Sequence, residues 1–207
     1  IAQTDVAFAE GGLRPKWPLK TDDPHKLKVS YQDVRELWHG RHGRRFGASR
    51  KTTDPQTGES YQRVHVGIDL FADPGDIVLA PEDGVVIASL PFYKGLGALY
   101  LKTDSGIVIN LGEIEDGSWR KFGIRSGDLS KSGGQRVVAG QPVAKVGTSN
   151  DGSHMLHLET YASDATVDEI RHKKMRWIAG EDAPAKVLDP TRYLVRAQRV
   201  YYEDKDA

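Results

Sequence analysis

From about residue 60 to residue 160 the sequence alternates between short β-rich runs and turn signals. Val64–Leu70, Ile77–Ala80, Gly84–Ser89, Ala98–Thr103, Ile107–Ile114, Pro142–Val146 and Met155–Tyr161 read as strands. Asp73-Pro74-Gly75, Asp83-Gly84, Ser105-Gly106, Asp116-Gly117 and Ala139-Gly140-Gln141 punctuate them. Strands at such close, regular spacing imply an antiparallel sheet or sandwich, because alternating β-α-β units would need helices between them. The expected fold class is all-β and mostly antiparallel, with short helices.

Residues outside this span carry less signal. Residues 1 to 28 mix Gly, Pro, Lys and Asp and read as an extended lead-in. Ser30-Tyr31-Gln32-Asp33 ahead of Val34, Leu37 and Trp38 predicts a short helix ended by Gly40. The basic run Arg41-His42-Gly43-Arg44-Arg45 reads as a solvated loop, with an anionic-substrate patch as the alternative. Residues 164 to 188 are charged, carry Trp177, and fit either a helix or a long excursion.

A chain of 207 residues supports one ordinary core with a small appendage. Its 29 basic and 29 acidic side chains balance, so no global field points to nucleic acid or an anionic membrane. No run approaches the length of an apolar membrane span, and none resembles the core of a signal peptide. Since the sequence begins at Ile1, a processed or truncated product is expected, and the missing export signal says nothing about compartment. With no cysteine, a bound metal must be held by nitrogen and oxygen.

His65 and Asp69, in Arg63-Val64-His65-Val66-Gly67-Ile68-Asp69, supply such a pair. On a continuous strand residues 65, 67 and 69 share a face, which Gly67 leaves bare. An isolated H-x-x-x-D is weak, but Ser153-His154-Met155-Leu156-His157-Leu158-Glu159 offers a third ligand. There 155, 157 and 159 share one face and His154 turns away. His65, Asp69 and His157 together form a three-ligand zinc set with one open position, the arrangement of a catalytic site suited to amide hydrolysis.

Here the chain resembles the lysostaphin-type, LytM-like zinc metallopeptidases that cut peptide bonds in bacterial peptidoglycan. The likeness spans residues 46 to 194. Phe46-Gly47, Arg50 and Pro55-Gln56-Thr57-Gly58 look like the family's F-G-x-R…P-x-T-G segment, with Arg50 one place late. Arg63 to Asp69 matches R-x-H-x-G-x-D, Val138 to Gly147 looks like V-x-x-G-Q-x-I-G-x-V-G, and Asp189-Pro190-Thr191-Arg192-Tyr193-Leu194 resembles the closing D-P-x-x-Y-L. The resemblance implies a duplicated hybrid-motif, β-sandwich-like sheet with a groove over residues 46–194, an N-terminal extension over 1–45 that could wrap the core, and a C-terminal tail over 195–207. It gives His65, Asp69 and His157 to one zinc ion.

The same resemblance exposes two departures. The family places two further histidines at the site, and neither is present. Met155 replaces the first histidine of the H-x-H pair, and Ile109 to Ile114, aligned with Y-x-H-L, puts Leu111 for the tyrosine and Glu113 for the other histidine. Alternation predicts that 111 and 113 share a face, so Glu113 should point where the imidazole would. Glu113 then accepts a proton from the attacking water, binds zinc as a fourth ligand, or pairs with a nearby cation. His154 would supply the lost polar contact if a bulge re-aimed it.

Other signals are weaker. Glu159 fits either support of a ligand or a surface ion pair. His25, His39, His42 and His172 lack metal-like spacing and are expected to be exposed. Lys94-Gly95-Leu96-Gly97 is no phosphate loop, and no G-x-S-x-G is present. Trp17, Trp38, Tyr61, Phe92 and Tyr93 could line a groove for an extended peptide. The resulting expectation is a zinc-dependent endopeptidase acting on peptidoglycan or another peptide substrate, in the cell envelope, periplasm or secreted. The alternative is a degenerate domain that binds cell wall or regulates a partner hydrolase.

Overall fold

The computed structural model describes residues 13–29, 41–54, 57–172 and 175–207. The helix expected from Ser30 to Gly40 lies outside them. The described strands, in chain order, are β1 (Ser49–Thr53), β2 (Ser60–Val64), β3 (Ile68–Leu70), β4 (Ile77–Leu79), β5 (Gly84–Pro91), β6 (Leu96–Thr103), β7 (Ile107–Glu115), β8 (Gly127–Asp128), β9 (Gln135–Val137), β10 (Pro142–Lys145), β11 (Leu156–Ala162) and β12 (Val187–Leu188). The principal sheet runs β12-β11-β7-β6-β5-β8, with every pairing antiparallel. β3 and β12 share the outer edge of β11, while β8 and β9 share that of β5. Hairpin β1–β2 and ladder β4–β10 stand apart. Fold class is all-β, as the close strand spacing implies.

The central strands are buried on both faces, which is why β6 and β7 read as nearly unbroken apolar runs. One face carries core side chains such as Leu111 and Leu158. The other carries polar groups, among them Asn110, His157 and Glu159. A sheet covered on both sides holds those polar groups in fixed, dehydrated positions.

The run from Val64 to Leu70 is not one strand. Val64 pairs with Ser49 of β1, whereas Ile68 pairs with Leu158 of β11, so the chain changes partner across His65, Val66 and Gly67. Gly67 permits the change: a Cβ there would lie 2.5 Å from the Leu158 carbonyl oxygen and 2.8 Å from His157 Cε1. Only a residue without a side chain lets the backbone pass so near β11.

Residues 164–188 form an excursion containing one helical turn, α1 (Val167–Ile170), closed by a capping box in which Thr166 N donates to Glu169 at 2.8 Å. Residues 195–205, expected as part of a tail, belong instead to helix α2 (Thr191–Lys205). Its Tyr193, Leu194, Ala197 and Val200 form one buried stripe. α2 clasps residues 13–29, which also bond to β4 through Leu19 and Val78. Gln198 donates to the Leu27 carbonyl at 2.5 Å, Tyr201 to the Thr21 carbonyl at 2.9 Å, and Trp17, Leu19, Leu27 and Val29 are buried. Among the described residues no helix is long and apolar enough to cross a membrane.

Candidate metal centre

The change of strand partner at Gly67 and the pairing of Asp69 with His157 bring three ligand side chains to one point. One ligand atom from each of His65, Asp69 and His157 lies within 4.8 Å of the others, and all three residues are buried. His65 Nε2 is 3.2 Å from His157 Nδ1 and 3.2 Å from Asp69 Oδ1, and the last two atoms are 2.7 Å apart. Ligands around a tetrahedral zinc are about 3.3 Å apart for bonds near 2.0–2.1 Å. The three atoms therefore fit one face of such a tetrahedron with little movement.

Each ligand is oriented from behind. The other His65 nitrogen, Nδ1, lies 2.9 Å from the Arg45 carbonyl oxygen, which requires the proton there and leaves Nε2 with its lone pair toward the other ligands. Burial holds His65 below its ordinary pKa, favouring the neutral ligand form. His157 Nε2 is 2.8 Å from Glu159 Oε1, and the Glu159 carboxylate also accepts hydrogen bonds from Asn110 Nδ2 and Tyr161 OH, both at 2.6 Å. Asp69 turns its second oxygen to the Arg50 guanidinium.

The charges follow from these contacts. Burial opposes protonation of His157, but hydrogen bonds to Asp69 and Glu159 outweigh it and raise the imidazole to about 10. Burial likewise opposes ionisation of Asp69, yet the two imidazoles beside it keep its carboxyl well below the usual range. The protonated His157 donates from Nδ1 to Asp69 and from Nε2 to Glu159.

Glu113 reaches the same cavity by an unexpected route. The β6–β7 register steps from Ala98–Gly112 to Gly97–Ile114, leaving Glu113 without a cross-strand partner. It is a β-bulge residue, with φ of 61°. The expectation that 111 and 113 share the site face is overturned: Leu111 pairs with Leu158 on the core face, while Gly112 pairs with His157 on the site face. Regular alternation would have sent Glu113 into the core. The bulge turns it into the cavity of about 190 Å³ that His65, His157, Met155 and Glu159 also line. Its Oε2 is buried and has no hydrogen-bond partner among the described residues, and burial raises its pKa. Glu113 is not part of the group whose ligand atoms converge within 4.8 Å.

His154 is a correction. The strand begins at Leu156, no bulge re-aims the residue, and its ring lies 3.8 Å from Asp73 at the surface. Met155 forms part of the cavity wall, with its sulfur 4.0 Å from Arg44 Nη1. Of the aromatic residues expected in a groove, Phe92 and Tyr93 line this cavity and Tyr61 an adjoining one, whereas Trp17 is in the core. Trp38 lies outside the described residues.

A family model described as peptidase family M23 matches residues 63–169, more than half of the chain. The chain belongs to peptidase family M23. The matched residues include His65, Asp69, Glu113 and His157. No curated protein matches the chain significantly. Among solved structures, the catalytic domain of the antimicrobial peptidase lysostaphin from Staphylococcus simulans is 17% identical, with a TM-score of 0.48 over 77% of this chain and 96% of that one. The CbpA structure from L. salivarius REN is 19% identical, with a TM-score of 0.47 over 76% and 88%. A zinc-containing peptidase from Vibrio cholerae is 20% identical, with a TM-score of 0.39 over 68% and 37%. Against the lysostaphin chain described by NMR, this chain spans 56% of the length.

Within this M23 domain, three contributors escaped the sequence reading. Arg50, a motif position by sequence, is the ion-pair partner of Asp69. Glu159, which the sequence fits equally to ligand support or a surface ion pair, is buried beneath His157 and bonded to it. His172 is exposed, as its lack of metal-like spacing implies, yet it borders the cavity with its ring centroid 4.4 Å from that of Phe92, and desolvation there lowers its pKa. A single histidine in a charged excursion has no spacing signal that could have announced this contact.

Proposed function

We propose that the chain is a zinc-dependent endopeptidase that hydrolyses amide bonds in peptidoglycan peptides, in the cell envelope or outside the cell. The observation that carries the reading is the buried His65–Asp69–His157 triangle, whose 2.7–3.2 Å edges and back-side hydrogen bonds suit a cation with open coordination. Zinc, when bound there, supplies Lewis acidity toward the scissile carbonyl and toward a water molecule.

The chain's own residues then divide the work. Arg50 and Glu159 hold Asp69 and His157 in position. Glu113 acts as general base: its unpartnered Oε2 accepts the proton of the attacking water and can return it to the departing amine. Its place outside the converging ligand set favours this role over that of a fourth ligand. Phe92, Tyr93 and His172 line the cavity where the peptide would lie.

A second reading, a domain that binds cell-wall peptide or regulates a hydrolase without cutting, draws support from Met155 in the wall and from His154 turned to Asp73. Incubation with purified sacculi separates the two. The endopeptidase releases soluble peptide fragments, chelation stops release, and His157→Ala is inert. Binding to sacculi without release, at every metal and pH tried, would establish the second reading instead.

A further inference from the structure

Beside the metal-site cavity lies a second one of about 690 Å³, and Arg63, Val66, Tyr93, His172 and Met175 line both. The second cavity is floored by Tyr61 and by Trp177, whose segment is stitched to β2: Val64 N donates to the Trp177 carbonyl at 2.7 Å, and Arg63 bridges to Ile178. The two cavities thus share a wall. The wider cavity carries two guanidinium groups, Arg63 and Arg176, and no carboxylate among its described lining residues.

Arg63 is the unusual member. It is half-buried and directly opposite Arg50 in the β1–β2 ladder, an arrangement that costs stability because like charges face one another. Asp69 relieves Arg50 by a direct ion pair. The Arg63 side chain has no hydrogen-bond or ion-pair partner among the described residues. An incompletely hydrated guanidinium with a vacant fork has the geometry and the deficit that a carboxylate satisfies with two parallel hydrogen bonds.

We propose that Arg63, assisted by Arg176, binds a free carboxylate on the substrate peptide, making this chain selective for acidic peptides whose carboxylate lies beside the bond presented to the metal site. The proposal rests on the hydrolytic reading for the position of the bond, but not for the existence of the anion site. Arg63 is a specificity residue: it touches the substrate and takes no part in proton transfer. Tyr61, Tyr93 and Trp177 supply flat apolar walls for the peptide on either side of the carboxylate.

The test uses the zinc-loaded chain and pairs of peptidoglycan stem peptides identical except that one carboxylate is replaced by a carboxamide, each carboxylate taken in turn. Binding is measured by titration calorimetry and cleavage by chromatography. At one position the carboxylate peptide is expected to be favoured about 10-fold or more, the usual worth of a hydrogen bond to a charged group. Arg63→Gln removes that preference, so that the carboxylate and carboxamide peptides bind alike, and Arg63→Lys retains only part of it. Selective binding without cleavage supports the anion site and ends the hydrolytic reading. Equal binding and equal cleavage of every pair overturn the anion site and leave hydrolysis standing. Absence of binding by all the peptides, or a preference that survives Arg63→Gln, also overturns it. If Arg63→Gln does not fold, the wild-type comparison decides alone.

Discussion

His157 presents Nδ1 to Asp69 at 2.7 Å and Nε2 to Glu159 at 2.8 Å, so a single imidazole links the candidate metal ligands to a buried carboxylate. Against its burial that carboxylate is kept ionised first by the hydrogen bond and charge of His157, then by hydrogen bonds from Tyr161 and Asn110, which also hold it in place. Glu159→Gln removes the charge and sets an amide N–H₂ against one of three neighbouring donors. Zinc affinity is expected to fall about 10- to 100-fold, as for other residues that orient a ligating histidine. Competition with a zinc-binding dye measures this, and unchanged affinity would show that His157 needs no such support.

Glu113 combines a positive φ with a buried, unpartnered oxygen, two costs that a residue selected for stability alone would not carry. Glycine meets neither cost. Glu113→Gly is therefore expected to stabilise the fold by about 1–2 kcal/mol, the penalty of a side chain in the left-handed region. Hydrolysis should drop about 100-fold or more through loss of the base. Glu113→Ala is the control: it keeps the Cβ at positive φ and forgoes the strain relief. Urea unfolding midpoints and fragment release from sacculi read the two effects, and a Glu113→Gly protein no more stable than Glu113→Ala would rule out backbone strain.

The contrast between Glu113 and the strand pattern shows what this sequence makes legible. β5, β6, β7 and β11 lie within two residues of their expected runs, because their apolar content and flanking turns are local signals. The convergence of His65, Asp69 and His157 followed from short-range spacing, although the chain meets it through a change of strand partner at Gly67 rather than one continuous strand. What stayed hidden depends on register. A bulge at Glu113 reverses the face expected from alternation, and Gly112 before it, a glycine inside a strand run, is the local signal of that bulge. Arg50, Arg45 and His172 reach the site across tertiary contacts that no local period encodes. α2 did leave a trace, the apolar stripe Tyr193, Leu194, Ala197 and Val200, but charged residues between them obscured it.

Gly67 provides a direct check on the crossing that builds the site. A methyl group added there meets the Leu158 carbonyl at 2.5 Å, the His157 ring at 2.8 Å and the Glu159 side chain at 2.9 Å. Backbone cannot yield as a flexible side chain can. Gly67→Ala is expected to lower stability by about 1–3 kcal/mol, the range for overpacked interiors. Zinc affinity should fall with it, because the displaced atoms belong to the ligand His157 and its support Glu159. A denaturation midpoint equal to wild type would mean that β3 does not pass β11 as closely as described.

Glu82 offers a pH test far from the metal ligands. It is buried beneath α2, where Tyr193 OH donates to Oε1 at 2.7 Å. Burial raises its pKa more than the hydrogen bonds from Tyr193 and Ser105 lower it. A carboxyl raised on folding is stabilised as the neutral acid, so its contribution is neutral below the ordinary value of 4.5 and becomes a penalty as pH climbs through the raised folded value. Wild type should lose stability relative to Glu82→Gln across that window, and the difference should then stay constant toward neutral pH. Glutamine keeps an oxygen to accept from Tyr193 while removing the buried charge. Urea midpoints of the two proteins at pH 4 and pH 7 decide: Glu82→Gln is expected to gain on wild type at the higher pH, and an equal gap at both would mean that the folded protein leaves the Glu82 pKa unshifted.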